Sequence, residues 1–397
     1  MNWQGAVVNV NILKSKAKAL TFAALIATAA GSYARAADLP IKNPPPPKPV
    51  PFFFVNDTSV SFTWYFNATD PGVSGSSGSV AGGIAGTGFT TPRVTGSIDH
   101  FDVWEYGTNL IHIDLNQYGK EDPEQGQPGA AGAREFFGFT RSTIGWNELT
   151  HSKMFTTFLT NDIGFEGGFT AGTEDNVFAS QTTQYVAGLN FDLAIPKVLG
   201  TMLVGVLAYK EFAHNEFAAC NPGGPAVGLG SQATQAFTAG ACPAAPGASF
   251  SGDRDFEWTW KIEAFNSIPL GGILGSWADA AHVINILNVT GPKGTGISNA
   301  NLLALGPFGG FCCGLPASMA NQLANNETKT EVFEDARLSI DTSKIFWGKP
   351  GIWDSYVGYR YWFNKFGADH NAPLMSVVAP GTAIESTVYL GTTYHFK

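Results

Sequence analysis

The C-terminal stretch Ile384–Lys397 alternates between apolar and polar side chains at every second residue. Its apolar and aromatic positions are Val388, Leu390, Tyr394 and Phe396. Its polar positions include Glu385, Thr387, Thr393 and His395. A period of two describes a β-strand whose two faces meet different surroundings. The stretch therefore predicts either the closing strand of a membrane barrel or the last strand of a soluble sandwich.

The N-terminal residues have the pattern of a secretory signal peptide. Three lysines at positions 14, 16 and 18 precede the apolar run Ala19–Ala30, and Ala34-Arg35-Ala36 is a small-x-small cleavage site. A transmembrane helix needs about 20 apolar residues, more than this run supplies. The sequence thus predicts three segments. These are a signal peptide over 1–36, a Pro-rich periplasmic segment over 37–54 and a β-barrel over 55–397.

The charge balance and the composition narrow the functional classes. Removing the four basic residues of the signal peptide leaves 23 − 4 = 19 basic against 32 acidic residues, and 19 − 32 = −13. Nucleic-acid binding is disfavoured because it needs a basic surface. After the signal peptide no apolar stretch is long enough for a membrane helix, so strands are the remaining way to span a bilayer. The 47 Gly, 30 Phe, 11 Tyr and 10 Trp suit short strands with aromatic girdles.

Twelve stretches of the chain read as strands, and the connections between them alternate between long and short. The predicted strands are 55–66, 98–106, 110–118, 134–146, 154–170, 181–194, 201–213, 253–266, 276–290, 328–341, 353–366 and 384–397. Gly107-Thr108-Asn109 predicts a tight hairpin turn. Sandwiches have crossing connections that do not alternate in length, whereas outer-membrane barrels do alternate. The fold class predicted is all-β: a transmembrane antiparallel up-and-down β-barrel of about 12 strands with long external loops.

The strand faces indicate which residues line the lumen. A charge facing lipid costs about 2–4 kcal/mol at mid-bilayer, so charged positions are assigned to the interior. The charged residues predicted to line the pore are Asp102, Asp114, Asp162, Glu166, Glu257, Lys261, Glu263, Glu331, Asp335, Arg337 and Arg360. The aromatic residues predicted to accompany them are Tyr65, Trp104, Tyr106 and Tyr356. For each residue, pairing with an opposite charge or packing inside the barrel is the alternative to a role in solute binding.

The cysteines and histidines give no catalytic or metal-binding pattern. All four cysteines of the mature chain fall in the two longest loops. Four cysteines allow three pairings, among which the sequence does not choose. Export together with loop placement motivates the hypothesis of a bridge between Cys220 and Cys242. No histidine stands at ligand spacing from a cysteine, so neither a metal nor another cofactor is expected. The seven histidines are scattered without a nucleophile elbow. We expect no enzyme, although residues brought together from separate strands would escape such a search.

Several stretches together resemble a known family. Trp104–Asp114 (WEYGTNLIHID) resembles the W-x-Y-G-D-N-x-x-x-x-D hairpin of the nucleoside-specific channel-forming (Tsx-like) outer-membrane proteins. Phe137–Ser142 with Glu148–Thr150 is similar to the strand and turn that follow this hairpin in the family. Val357–Gly367 (VGYRYWFNKFG) is similar to the family's penultimate strand. Two departures are Thr108 in place of a turn Asp, and Phe139 where many members have Glu.

The resemblance implies a monomeric twelve-stranded barrel in the outer membrane of a Gram-negative bacterium. It further implies passive uptake of nucleosides or similar small polar solutes, contact with outer-membrane lipid, and recognition of the C-terminal strand by the barrel-assembly machinery. The alternatives are a general narrow diffusion porin and an outer-membrane β-barrel enzyme or receptor.

Overall fold

The computed structural model describes residues 52–70, 90–122, 124, 131–175, 180–220, 250–294, 327–371 and 383–396. Within them the strands are β1 (Phe53–Ala68), β2 (Thr91–Trp104), β3 (Gly107–Tyr118), β4 (Arg134–Gly145), β5 (Thr160–Glu174), β6 (Gln181–Leu193), β7 (Thr201–Cys220), β8 (Phe250–Asp255), β9 (Thr259–Pro269), β10 (Ala281–Thr290), β11 (Glu331–Asp341), β12 (Trp353–Phe363) and β13 (Ile384–Phe396). Among these residues, no helix has both the length and the apolar character needed to cross a membrane.

The strands form one closed antiparallel barrel. Strand β1 pairs with β13, and β6 pairs with β7, so the sheet has no free edge between its first and last members. Strands β8 and β9 both pair with β7 and occupy a single place in the wall. The described residues therefore make a twelve-stranded barrel, and the predicted fold class is confirmed.

The two faces of the wall differ as the alternation predicts. In β13, Leu390 and Phe396 are about half exposed on the outside, whereas Glu385 and Tyr389 are buried inside. The same arrangement recurs in β1, where Phe62 and Trp64 face out and Tyr65 faces in. A closed barrel with an apolar exterior and a polar interior satisfies every backbone hydrogen bond within lipid. The fold is that of a membrane-spanning barrel.

The two ends of the barrel have different connections. The end that carries Phe53, Phe396 and the β2–β3 turn is called the short-turn end. It also carries α1 (Trp146–Leu149), the 3-10 turns Lys197–Leu199 and Ser276–Ala278, α2 (Gly271–Leu274) and α3 (Thr342–Trp347). The opposite, long-loop end carries the 3-10 turn Lys365–Gly367. In outer-membrane barrels the short turns and both termini face the periplasm.

Several predicted element limits are wrong. Strand β2 begins at Thr91 rather than at residue 98. The β2–β3 turn consists of Glu105 and Tyr106, and Gly107 already belongs to β3. Gly107 is required by a close approach, since a Cβ there would lie 1.8 Å from the Thr143 carbonyl oxygen. Glycine in this position therefore reports strand packing rather than turn geometry.

The predicted alternation of connection lengths fails around β5. The connection 146–159 at the short-turn end is longer than 175–180 at the long-loop end. Asn147 holds the longer turn together, because its Oδ1 accepts from the Phe155 amide at 3.0 Å and its Nδ2 donates to the Asn161 carbonyl at 3.1 Å. Residues 154–159 lie in this turn and not in β5, which begins at Thr160. Side-chain hydrogen bonds to the backbone, such as those of Asn147, compete with strand pairing.

Candidate functional site in the barrel lumen

One side of the lumen is filled by tyrosines from β1, β12 and β13. We call Tyr65, Tyr356 and Tyr389 the tyrosine wall; each is buried, with 5%, 6% and 2% of its surface exposed. The ring centroids of Tyr65 and Tyr389 lie 4.9 Å apart, and those of Tyr356 and Tyr389 lie 6.1 Å apart. The Tyr356 hydroxyl is 2.7 Å from Thr63 Oγ1. These rings pack together and leave little surface for a solute to touch.

Two glycines make this packing possible. Tyr356 stands opposite Gly391 and Tyr389 stands opposite Gly358, so two Tyr-x-Gly segments cover each other in antiparallel register. A Cβ at Gly358 would lie 2.1 Å from Cζ of Tyr389, and one at Gly391 would lie 2.3 Å from Cζ of Tyr356. Each ring therefore lies on bare backbone of the neighbouring strand, the arrangement known as aromatic rescue of glycine.

Arginines cover the tyrosine wall. The guanidinium carbons of Arg93 and Arg360 lie 4.1 Å and 4.7 Å from the Tyr65 ring centroid. Arg360 Nε donates to Asp335 Oδ2 at 2.8 Å, and the Tyr389 hydroxyl donates to the other Asp335 oxygen. Arg337 lies 4.9 Å from the Tyr356 ring centroid. Cation–π contacts and a charge-assisted hydrogen bond thus tie β1, β2, β11, β12 and β13 into one unit.

The opposite side of the lumen carries a charged bridge. Arg141 on β4 binds Glu263 on β9 with two of its three guanidinium nitrogens, Nε at 2.9 Å and Nη2 at 2.8 Å. Strands β5, β6 and β7 separate them along the wall, so the bridge crosses part of the interior. Lys261 Nζ is 2.8 Å from Glu263 Oε1. A bidentate Arg–carboxylate pair fixes both the distance between the two side chains and their relative orientation.

Glu166 completes this group. Its Oε1 lies 4.0 Å from Arg141 Nε, and its Oε2 accepts from Asn190 Nδ2 at 2.6 Å. We call Arg141, Glu166, Asn190, Lys261 and Glu263 the bridge cluster. Two cations and two anions give it a formal charge of 2 − 2 = 0. This balance leaves no uncompensated charge in the cluster, and an uncompensated buried charge is strongly destabilising.

Two phenylalanines lie beside the bridge cluster and are partly exposed inside the barrel. Phe137 and Phe139 share the inward face of β4 with Arg141, and their ring centroids are 6.2 Å apart. Phe139 lies 5.3 Å from the Arg141 guanidinium carbon and 4.9 Å from the His112 ring. The sequence pattern did not single out these two phenylalanines, because both faces of β4 carry phenylalanine. Glu135 and Arg141 fall on the same alternate positions and could have identified the inward face.

A second polar group lies next to Phe139. His112 Nδ1 is 2.6 Å from Asp99 Oδ1, and its Nε2 is 3.0 Å from Asp114 Oδ1. The Ser97 hydroxyl donates to Asp114 at 2.5 Å. The hydroxyl therefore binds the carboxylate and not the imidazole, which differs from the nucleophile–base contact of a hydrolase triad.

Four of the residues predicted to line the pore lie elsewhere. Asp102 is on the face of β2 that carries the exposed Ile98, and it accepts from Asn109 Nδ2 at 2.9 Å. Trp104 and Tyr106 lie at the short-turn end with ring centroids 5.3 Å apart. Glu257 is exposed in the break between β8 and β9.

The break at 256–258 explains the error at Glu257. Strict alternation assigned Phe256 to the outer face, but its ring lies 4.5 Å from the buried Lys293 ammonium nitrogen. Three residues without strand pairing interrupt the period of two, so the alternation cannot be carried from β9 back into β8.

The remaining predicted residues face the interior. Glu331 accepts from Trp362 Nε1 at 2.6 Å, and Asp162 accepts from the Asn147 amide at 3.0 Å at the short-turn end. Tyr65, Tyr356, Arg337, Arg360 and Asp335 form the packed side, and Asp114, Glu166, Lys261 and Glu263 form the polar side described above. The proposed bridge between Cys220 and Cys242 lies outside the residues whose side chains are described.

At the long-loop end, connection residues turn into the barrel mouth. Lys365 is 1% exposed, and its Nζ lies 3.0 Å from both Asp70 Oδ2 and Glu385 Oε2. Burial alone would lower the pKa of Lys365, but Asp70 and Glu385 outweigh it and raise that pKa above its usual value. Lys293 contacts Glu211 in the same way. These lysines anchor the bases of two long connections on the wall.

Comparison with known proteins shows only remote similarity. No family model matches the chain, and no curated protein matches it. Among solved structures, the match to the KdgM porin covers 85% of this chain and 99% of the porin chain, with a TM-score of 0.33 and 6% sequence identity. The translocator domain of the autotransporter NalP from Neisseria meningitidis covers 86% and 89%, with a TM-score of 0.35 and 11% identity. The outer membrane protein opdK from Pseudomonas aeruginosa covers 87% and 100%, with a TM-score of 0.23 and 8% identity. At these scores we take nothing about function from the similarities.

Proposed function

We propose that the protein is an outer-membrane channel that lets small polar solutes pass by diffusion. The observation that carries this proposal is the bridge cluster, a charge-balanced group spanning part of the interior of a closed barrel. Ionisable groups that line a narrow aqueous path select solutes by charge and size. A barrel of twelve strands has room for such a path, since smaller barrels are filled by side chains and porins of 16–18 strands hold a wide channel.

Within that class we propose nucleosides as the solute. A nucleoside offers an apolar base face and a hydrogen-bonding ribose, so it needs an aromatic surface with polar groups beside it. Phe137 and Phe139 supply the aromatic surface, and Arg141, Asp114 and Glu263 supply donors and acceptors around it. The tyrosine wall, by contrast, is too buried to serve as the main contact. The Tsx-like sequence motifs support the same solute class.

Non-enzymatic function, monomeric state and assembly through the C-terminal strand belong to the same proposal. Phe396 and Tyr394 stand exposed on the outer face of the last strand, where an assembly factor could contact them. The placement of Ser97 against Asp114 supports a structural role for the Ser97–Asp114–His112 group. Heat-modifiable gel migration of purified outer membranes tests the location, and recovery in the periplasmic soluble fraction would refute it.

Planar bilayers test the nucleoside proposal through the aromatic surface. We expect adenosine or thymidine to block ion current reversibly, and a sugar of equal mass to block it much less. Base–aromatic stacking contributes about 1–3 kcal/mol per base, so Phe139→Ala should weaken the block roughly 5- to 150-fold. Phe136→Ala is the matched control, because Phe136 is the neighbouring phenylalanine on the exposed outer face of β4.

The outcomes separate the channel from its selectivity. Equal block by nucleosides and by size-matched sugars would refute nucleoside selectivity and leave a general narrow diffusion pore. Failure of the wild-type protein to conduct ions in any solute would refute the channel itself. A Phe136→Ala effect as large as that of Phe139→Ala would show that the aromatic contact is not in the lumen.

A further inference from the structure

Three buried carboxyl groups meet at the long-loop end of the barrel. Asp70 follows β1, Asp122 follows β3, and Glu174 ends β5. One oxygen of each lies within 4.8 Å of the corresponding oxygens of the other two. We call these three residues the acid cluster. Asp70 and Glu174 are 3% and 7% exposed, and Asp122 is fully buried.

The surroundings of the acid cluster do not balance its charge. Glu135 and Glu385 lie beside it, which makes five acidic groups. Arg93, Lys365 and Arg360 are basic groups that act on them, and Arg360 also binds a sixth carboxylate, Asp335, at 2.8 Å. With Arg360 and Asp335 included, the formal charge is 3 − 6 = −3. The bridge cluster, for comparison, is neutral. A buried excess of this size must be met by protons or by a bound cation, since uncompensated buried charge is costly.

The carboxylates of Glu385, Asp70 and Glu135 each interact with a basic, amide or hydroxyl group, whereas, within the described part of the chain, the carboxylate of Asp122 does not. Lys365 forms ion pairs with both Glu385 and Asp70. Glu135 accepts hydrogen bonds from Asn116 Nδ2 and from the Tyr118 hydroxyl, both at 2.9 Å. Among the described residues, no basic, amide or hydroxyl group donates to either carboxylate oxygen of Asp122. The Glu174 carboxyl lies against it, close enough for the two to share a proton. Both Asp122 oxygens are thus buried and point into a group of acceptors.

Proton binding is one way to relieve the excess charge. Burial, opposed in part by Lys365, raises the pKa of Asp70 to about 6, and burial together with Asp70 raises the pKa of Asp122 well above its usual value. A hard divalent cation is the other way, because Ca²⁺ and Mg²⁺ prefer carboxylate oxygens. The three carboxylates lie at or beyond the ends of three different strands, so all three can point at one ion. Residues of a single strand could not be arranged in that way.

We propose that Asp70, Asp122 and Glu174 bind a divalent cation, with Ca²⁺ favoured by its tolerance of irregular oxygen ligands. The ion would tie together the connections that follow β1 and β3 and the one that leaves β5, all at the mouth of the barrel. This site is separate from the bridge cluster, so it does not depend on the solute proposed above. Extracellular Ca²⁺ modules bind at about 10⁻⁴–10⁻³ M, which sets the concentration range for the test.

The test compares unfolding temperatures of the full-length protein in detergent, first with EDTA and then with CaCl₂ or MgCl₂ up to about 10 mM. Wild type should gain thermal stability with Ca²⁺ in a saturable way, and isothermal titration should give one site. Asp122→Asn removes one negative ligand and part of the excess charge. It should therefore be more stable than wild type in EDTA and should lose at least about tenfold in Ca²⁺ affinity.

Asp175→Asn provides the matched control. Asp175 is next to Glu174 in the chain, but its carboxylate is half exposed and pairs with Arg134 Nε at 3.2 Å. We expect this variant to bind Ca²⁺ as wild type does. No Ca²⁺ effect on wild type would overturn the proposal in favour of shared protons. Equal loss of binding in Asp122→Asn and Asp175→Asn would overturn it in favour of diffuse surface binding.

Discussion

The tyrosine wall and the bridge cluster are both built from inward-facing residues, yet they differ in how they fill space. Tyr65, Tyr356 and Tyr389 are buried and pack on glycine backbone. Arg141 and Glu263 instead reach across part of the interior, beside the partly exposed Phe139. The difference indicates that one side of the lumen holds the barrel together while the other faces the solute. Substitutions on the first side should change stability, and those on the second should change transport.

Removing a ring from the tyrosine wall should have the largest effect on stability. Tyr389→Ala deletes a buried ring, its contacts to Tyr65 and Tyr356, and its hydrogen bond to Asp335. Truncation of a buried aromatic costs about 3–5 kcal/mol. We expect a loss of that size in the free energy of unfolding, measured by urea titration in lipid vesicles.

Tyr359→Ala is the control for that experiment, because Tyr359 is on the outer face of β12 and 44% exposed. Its loss should be clearly smaller. If both variants lose the same free energy, the tyrosine wall has no special role in holding the barrel together.

Adding a methyl group under a ring should have an intermediate effect. Gly358→Ala places a Cβ 2.1 Å from Tyr389 Cζ, so the ring must move out of its packed position. Overpacking of this kind costs about 1–3 kcal/mol. Gly96→Ala in β2 is the control, since no atom lies within 4 Å of the Cβ position there. Comparable unfolding free energies for Gly358→Ala and wild type would show that the ring can shift freely, contrary to the packing described.

The sequence predicted the barrel because its signal repeats along every strand. In the last strand the alternation separated Leu390 and Phe396 from Glu385 and His395. Closing the barrel makes the first and last strands neighbours, which brings Tyr65 towards Arg360 in the strand before the last. The structure places the Arg360 guanidinium 4.7 Å from the Tyr65 ring. Such inferences work where strand pairing is regular, because the period of two leaves one choice per strand.

The acid cluster and the lysines at the barrel mouth could not be predicted in this way. Asp70, Asp122 and Lys365 lie in connections, where no period relates a residue to a face of the sheet. Whether these side chains come into contact depends on how three separate connections turn towards the barrel interior. The prediction that Glu257 lines the pore was wrong for a related reason, since the break at 256–258 interrupts the alternation. A carboxylate cluster of this kind becomes visible only once the barrel is closed.

The smallest effect on stability and the clearest effect on transport are expected at the bridge cluster. Glu263→Gln removes one negative charge, so Arg141, Lys261 and Glu166 then carry 2 − 1 = +1. The glutamine oxygen still accepts a hydrogen bond from Arg141, and the loss of unfolding free energy should be about 1 kcal/mol. In a KCl gradient across a planar bilayer, the reversal potential should shift towards chloride preference.

Asp255→Asn is the control, because Asp255 is 70% exposed where it pairs with Lys210 on the outer surface. That variant should leave the reversal potential nearly unchanged. An unchanged reversal potential in Glu263→Gln would place the ion path away from the Arg141–Glu263 bridge and would break the proposed division between the two sides of the lumen.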